Sequence, residues 1–278
     1  MTSSAPIGVF DSGLGGLSVV RRMRREMPNE NIIFYADCSN APYGTKSVEQ
    51  VRLLSCSAAE RLIKQGAKAL VVACNTATSA AAEQMREKYS LPVIGMEPAL
   101  KTACEAENTA EKPENAPDAE TSGRTVIVAA TELTLREEKF ARLMKRFEDR
   151  HTIYRQPCPD FVTIAENGQL NDAKITDKAI HRYFDKYDLS KTDSIVLGCT
   201  HFVFFRDAFR RVIPKHVKLI DGNEGTVRHL KNVLKAADKE ADKDTVGTVR
   251  IEGSFADAEQ KRLAFELLGE TPETVTPL

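Results

Sequence analysis

The sequence predicts an α/β fold made of two pseudo-symmetric domains, each a mainly parallel sheet flanked by helices, with an active site in the cleft between them. Three observations predict it. Short Val/Ile-rich runs alternate with longer stretches of helical period, and that rhythm breaks at Glu105 to Gly123 before starting again. Each half also carries a strand that ends in a cysteine followed by two hydrogen-bonding residues, "VVACNT" and "VLGCTH". Alternation at this spacing means βαβ units, which need parallel strands covered on both faces.

In chain order, "IGVF" reads as a first strand and Leu17 to Met27 as a helix. The basic run "RRMRREM" is the solvated face of that helix, because Leu17, Val20, Met23 and Met27 share the opposite stripe. "NIIFYA" is the next strand. Ser47 with Gln50 forms a capping box opening a helix to Lys64, and Val48, Val51, Leu54, Ala58 and Leu62 line one face. "ALVVA", a helix over Thr76 to Tyr89 and "PVIG" complete the first series. Residues 105 to 123 hold six acids, two prolines, one lysine and nothing apolar larger than alanine, so they cannot pack a core and read as a mobile insertion. Then follow "TVIVAAT", a helix around Leu135 to Phe147, "TIYRQP", a helix around Asp177 to Tyr187, "SIVLGCT", "VKLIDG", a helix through Val227 to Ala236 and an edge strand "VRIEGSF". The expected division is a first domain of residues 1–97 with 209–278 and a second of 98–208.

Composition excludes several functions. The chain has 39 Lys and Arg against 40 Asp and Glu, so no global field recruits nucleic acid or an anionic membrane. No apolar run approaches the ~18 residues of a membrane span. The N-terminus lacks the basic region of a signal peptide, and a cytoplasmic location is expected. Six cysteines without a C-x-x-C pair argue against a disulfide framework or a thiolate zinc site, and no metal is expected.

"FDSGLGGLS" follows a strand and opens a helix, which makes its N–H groups an anion site. Asp37 stands where a ribose-binding acid of a dinucleotide fold would, but the third glycine is missing and Asp11 would face the pyrophosphate. In open parallel sheets ligands bind beyond the carboxyl ends of strands, so two facing halves put Cys74 and Cys199 on opposite walls of one cleft. Cys38, Cys56, Cys104 and Cys158 read as buried structural thiols. Two opposed thiols suit the inversion of a stereocentre, where a base and an acid act on opposite faces of one carbon.

Together "GVFDSGLGGLSV", "ADCSNAPYGTKS", "VVACNTATS", "CPDFVTIAENG" and "LGCTHF" resemble the glutamate racemases, of the cofactor-independent aspartate/glutamate racemase superfamily. The resemblance implies two α/β domains around the site, interconversion of L- and D-glutamate for peptidoglycan, no cofactor, no metal and a homodimer. By motif, Cys74 resembles the thiol that deprotonates D-glutamate and Cys199 the one that deprotonates L-glutamate. Asp11 then assists the first, Glu166 and His201 the second. Asp11, Ser12, Tyr43, Gly44, Asn75, Thr76, Thr131, Thr134, Thr200 and His201 match the substrate-holding positions. Glu137 stands where the family usually has serine, and Thr163 where proline is common. The short segment before Asp11 leaves no room for the extension that accompanies activation by a cell-wall precursor in some relatives, so that regulation is not expected. The rival readings are a racemase of aspartate or another small amino acid, a non-catalytic amino-acid binder, and a NAD-dependent dehydrogenase.

Overall fold

The computed structural model describes residues 3–96, 99–105 and 123–269. The insertion expected at 105–123 falls almost wholly on residues 106–122, outside the described residues.

Among the described residues nine strands form two sheets, and every pairing between them is parallel. The first sheet has the order β4-β3-β1-β2-β9, from β1 (Ile7–Asp11), β2 (Ile32–Ala36), β3 (Ala69–Val72), β4 (Val93–Gly95) and β9 (Val249–Gly253). The second runs β6-β5-β7-β8, from β5 (Thr125–Ala130), β6 (Thr152–Pro157), β7 (Ser194–Leu197) and β8 (Lys218–Asp221). The strand "VRIEGSF" does sit at an edge, as β9. Strand β8 is different: a division at residue 209 put it with the first half, yet it pairs with β7, Leu197 opposite Asp221. A short strand after a helix carries no mark of which sheet it will join, so only the pairing decides.

Eleven α-helices lie among the described residues: α1 (Leu17–Glu26), α2 (Val48–Lys64), α3 (Asn75–Lys88), α4 (Leu100–Glu105), α5 (Glu132–Arg136), α6 (Glu138–Lys145), α7 (Pro159–Glu166), α8 (Ala173–Phe184), α9 (Arg206–Val212), α10 (Asn223–Ala236) and α11 (Ala258–Leu268). The capping box expected at Ser47 and Gln50 forms, with both reciprocal hydrogen bonds. The single helix expected around Leu135 to Phe147 is broken into α5 and α6, because Glu137 takes an extended backbone (φ −60, ψ 140) that ends one and opens the other. Helices α4, α7, α9 and α11 go beyond the sequence expectation, although Asp257 with Gln260 is an N-capping pair and Gly269, at φ 80, a C-terminal stop.

Each sheet is covered on both faces. Val9, Val71, Phe34, Met23 and Leu230 pack on one side of the first sheet, Phe10, Val72, Leu62 and Met85 on the other. In the second half Phe161 stacks on Phe205 (4.5 Å between centroids) and meets Phe202 edge-on (5.0 Å). Each such pair adds roughly 0.5–1.5 kcal/mol beyond burial. The cluster locks α7 to the 3-10 turn Thr200–Phe205, and so holds Glu166 and His201 in one wall.

One buried ion pair ties the segment before β1 and the loop before β9 to the first sheet. Lys68 Nζ lies 2.6 Å from Glu30 Oε2 and donates to Ser3 O, while the other Glu30 oxygen accepts from Ala241 N. Lys68→Met would strand a buried carboxylate, and a loss of about 3–5 kcal/mol is expected in the denaturant midpoint at unchanged slope.

Candidate active site

The strand orders place the chemistry. In each sheet the chain starts at an interior strand, steps to one side, then crosses back to the other, and the crevice between the oppositely directed crossovers is where ligands lodge. In the first sheet that point lies between β1 and β3, in the second between β5 and β7. Phe10 pairs with Val72 in the first and Ala129 with Leu197 in the second. Beyond each pair the same bond recurs: Ala73 N–H donates to Phe10 O (3.0 Å) and Gly198 N–H to Ala129 O (2.7 Å). Counting on from these matched points, Cys74 is the equivalent of Cys199, and Ser12 of Thr131. The internal repeat faintly visible in the sequence is therefore a repeat of backbone geometry.

Cys74 is the N-cap of α3, and its Sγ accepts from Ala77 N–H at 3.5 Å. The thiol also donates to Ser12 Oγ (3.6 Å), which donates to Asp11 Oδ1 (3.1 Å). Asp11 is fully buried at the end of β1, and its other oxygen accepts from Thr200 of the second half at 2.9 Å. Burial raises the Asp11 pKa, against the opposing pull of His201 and of the bonds from Thr200, Gly13 and Ser12. Burial, with the Asp11 charge behind it, pushes the Cys74 thiol up to about 12, although the bonds from Ala77 and Ser12 act the other way.

On the facing wall Cys199 Sγ is 3.7 Å from His201 Nδ1, and His201 Nε2 is 2.6 Å from Glu166 Oε1. Burial works against charge on His201, but the contacts with Cys199 and Glu166 outweigh it and raise the pKa well above its ordinary value. Burial likewise opposes ionisation of Glu166, and the His201 bond and charge, the Leu14 N–H and Gln260 more than compensate, so its pKa is lowered. Both shifts favour an imidazolium paired with a carboxylate. A protonated Nε2 has no lone pair for Gly15 N–H, which lies 3.2 Å away, so the shorter Glu166 contact decides where the proton sits. Among the described residues no group of three or more His, Cys, Asp and Glu side chains is arranged to hold a metal ion.

The two walls meet through the loop Asp11–Gly16. Leu14 N–H donates to Glu166 Oε1 at 2.6 Å. A Cβ on Gly13 would stand 2.1 Å from that same oxygen, and one on Gly15 2.4 Å from Thr200 Oγ1 and 2.5 Å from His201 Nδ1. These glycines are present because the halves approach too closely for a side chain. Gly15→Ala is expected to cost roughly 1–3 kcal/mol from overpacking and to lower turnover far more than stability, read as kcat beside the denaturant midpoint.

Several expected substrate-holding residues are brought together. Thr76, Thr131 and Thr134 form a triangle of hydroxyls, with Thr76 at 3.0 Å from Thr131 and 3.3 Å from Thr134, and Thr131 to Thr134 at 2.9 Å. Gly44 packs on this group, where a Cβ would meet the Thr131 Cβ at 2.9 Å. Asn75 Oδ1 is buried without a hydrogen-bond partner. Tyr43 is placed otherwise: its hydroxyl donates to Asp37 Oδ2 at 2.6 Å, and its phenol pKa is raised by burial and that carboxylate. Tyr43 thus anchors the "APYG" segment by its side chain. The acid suspected of ribose binding, Asp37, is occupied by Tyr43, Asn40 and Ser254. Sequence reasoning missed Gln260, whose Nε2 donates to Glu166 Oε2 at 3.4 Å from α11. Its capping position was legible, but its reach to a residue 94 positions earlier was not.

Against known proteins, residues 7–230 match the model of the Asp/Glu/Hydantoin racemase family. The chain is 54% identical over 268 residues to a glutamate racemase of Bifidobacterium animalis subsp. lactis, covering 96% of this chain and 99% of that one. It is 42% identical over 269 residues to a glutamate racemase of Clostridium perfringens, covering 95% and 96%. Among solved structures, glutamate racemase from Thermus thermophilus in complex with beta-chloro-D-alanine superposes with a TM-score of 0.78 at 31% identity, covering 99% of this chain and 97% of that one. Glutamate racemase from Francisella tularensis in complex with D-glutamate superposes equally well, TM-score 0.78 at 26% identity, with the same coverage.

Proposed function

We propose, from the premise that the chain belongs to the Asp/Glu/Hydantoin racemase family, that it interconverts L- and D-glutamate without a cofactor and supplies D-glutamate for peptidoglycan. One observation carries the two-thiol reading: equivalent crevices in the two sheets end in equivalent cysteines, and each thiol has its own acid–base partner.

The reaction follows from that arrangement. For D-glutamate, the Cys74 thiolate takes the Cα proton while the Cys199 thiol gives its proton to the opposite face, leaving L-glutamate, a Cys74 thiol and a Cys199 thiolate. The reverse turnover restores the starting form. A thiolate at Cys74 is costly while Asp11 is charged, so the Ser12 hydroxyl, which can turn its single proton to Asp11 or to sulfur, and the α3 N-terminus are what stabilise it. At Cys199 the imidazolium of His201 supplies the same stabilisation. The substrate ammonium, next to Asp11, would add to the first. Thr76, Thr131, Thr134 and Thr200, with Asn75 and the backbone at Tyr43 and Gly44, supply donors for two carboxylates and hold Cα between the sulfurs.

The reading carries further proposals. The catalytic thiols must stay reduced, and all six cysteines are free, which supports a cytoplasmic location. Among the described residues no helix is long and apolar enough to cross a membrane. The near-neutral charge supports a small-molecule substrate rather than nucleic acid, and a homodimer is the assembly we propose from the family resemblance.

The test is the circular dichroism of L-glutamate incubated with reduced, metal-stripped, cofactor-free protein. Decay of the signal to zero is expected. A flat trace from folded protein would sink the glutamate reading and send the test to aspartate, and then to binding without turnover.

A further inference from the structure

The basic run Arg21 to Arg25 takes no part in the reaction above, and in the fold it borders a cavity of about 650 Å³ between α1, the turn Thr200–Phe205, α9 and the end of β8. Four arginines and two aspartates line it. Arg206 is spent on Asp221, and Arg22 on Glu26 and Glu224. Among the described residues Arg21 and Arg25 have no ion-pair or hydrogen-bond partner. Lying one turn apart on α1, they stand side by side, about 5–6 Å between Cβ atoms, a spacing that suits two linked anionic groups.

A second observation points to a ligand at the same place. Ser18, in the first turn of α1, is 5% exposed, lines this cavity, and its hydroxyl is buried with no hydrogen-bond partner. A buried hydroxyl without a partner is costly. Unpaired guanidiniums on a solvated face would be ordinary; unpaired guanidiniums beside a buried orphan donor and a cavity of ligand size are a built site.

We propose that this cavity binds a small phosphate-bearing dianion, held by Arg21 and Arg25 in the fork geometry that guanidinium offers to phosphate, with the Ser18 hydroxyl donating to it. The site is separate from the catalytic cleft, but both its walls lead there. Helix α1 continues directly from the loop Asp11–Gly16, and Val203 and Phe204 of the cavity share the turn that carries Thr200 and His201. An occupant therefore bears on the seam between the halves. The proposal holds whichever amino acid the enzyme inverts.

Titration calorimetry of the full chain with pyrophosphate, and separately with ADP as an organic diphosphate, against sodium chloride at matched ionic strength, tests it. Saturable binding of either is expected, weakened at least about ten-fold in the double variant Arg21→Ala/Arg25→Ala and several-fold in Ser18→Ala, as expected when charge-assisted bonds are lost. Tighter binding of ADP would identify the source as an organic phosphate, and equal binding as the phosphate group alone. Racemisation without added anion should be unchanged in the double variant. Equal affinity in wild type and double variant, heats reproduced by chloride, or displacement of pyrophosphate by D-glutamate would each overturn the site. So would a change of oligomeric state in the double variant at unchanged anion affinity, which would make this face a contact between copies.

Discussion

Cys74→Ser is expected to lower racemisation of both enantiomers by on the order of 10²–10⁴ while leaving removal of the L-glutamate Cα proton intact. The asymmetry follows from the two walls. Cys199 with His201 still forms a base for L-glutamate, but no acid of matching strength remains on the opposite face, so the carbanion is reprotonated from the side it left. In deuterated water the variant should wash deuterium into L-glutamate at Cα without loss of optical activity, and leave D-glutamate unlabelled. Cys199→Ser should show the mirror result. Deuterium entering both enantiomers equally in Cys74→Ser would mean that one thiol serves both faces, and the two-base assignment would fall. Serine is nearly isosteric with cysteine at these buried positions, so unchanged thermal unfolding separates lost chemistry from lost fold.

His201→Asn should lower kcat/KM by roughly 10²–10³, the size seen when a preorganised charge partner is removed. Because enantiomers have equal free energies, the loss in kcat/KM must be the same in both directions. An unequal effect can appear only in kcat and KM taken separately. The pH dependence tells this role from a structural one. His201 has a raised pKa in the folded protein, so its imidazolium is fully present below the unfolded value of about 6.5 and is lost only as pH rises through the raised folded value. Its support of the Cys199 thiolate, and its share of stability through Glu166, are therefore lost on the alkaline side. Glu166, with a lowered pKa, loses its share on the acid side, as pH falls below the unfolded value through the folded one. Wild type should show an alkaline decline in kcat/KM that His201→Asn lacks. A variant retaining that limb, with kcat/KM down only a few-fold, would leave His201 a packing role.

Much of this was legible from residues in order. Periodicity and composition determined the βαβ alternation, the parallel sheets and the capping box at Ser47, because a helix or strand face records its burial in the spacing of apolar side chains. Cys74 and Cys199 stood out because polar residues follow a strand end directly, where a chain must turn and expose backbone. The remaining features depend on residues far apart in sequence. That β8 leaves the first half for the second sheet, that Tyr43 is held by Asp37, and that Gln260 on the last described helix reaches Glu166 are outcomes of pairing and docking. The pKa shifts belong to the same class: nothing in the order of residues says that burial pushes the Cys74 thiol up to about 12 or that contacts with Cys199 and Glu166 raise the pKa of His201. Local sequence determined which elements form and which residues could do chemistry. Tertiary structure alone decided which of them face one another and in what protonation state, because solvent exclusion and contacts between the two halves exist only once the chain is packed.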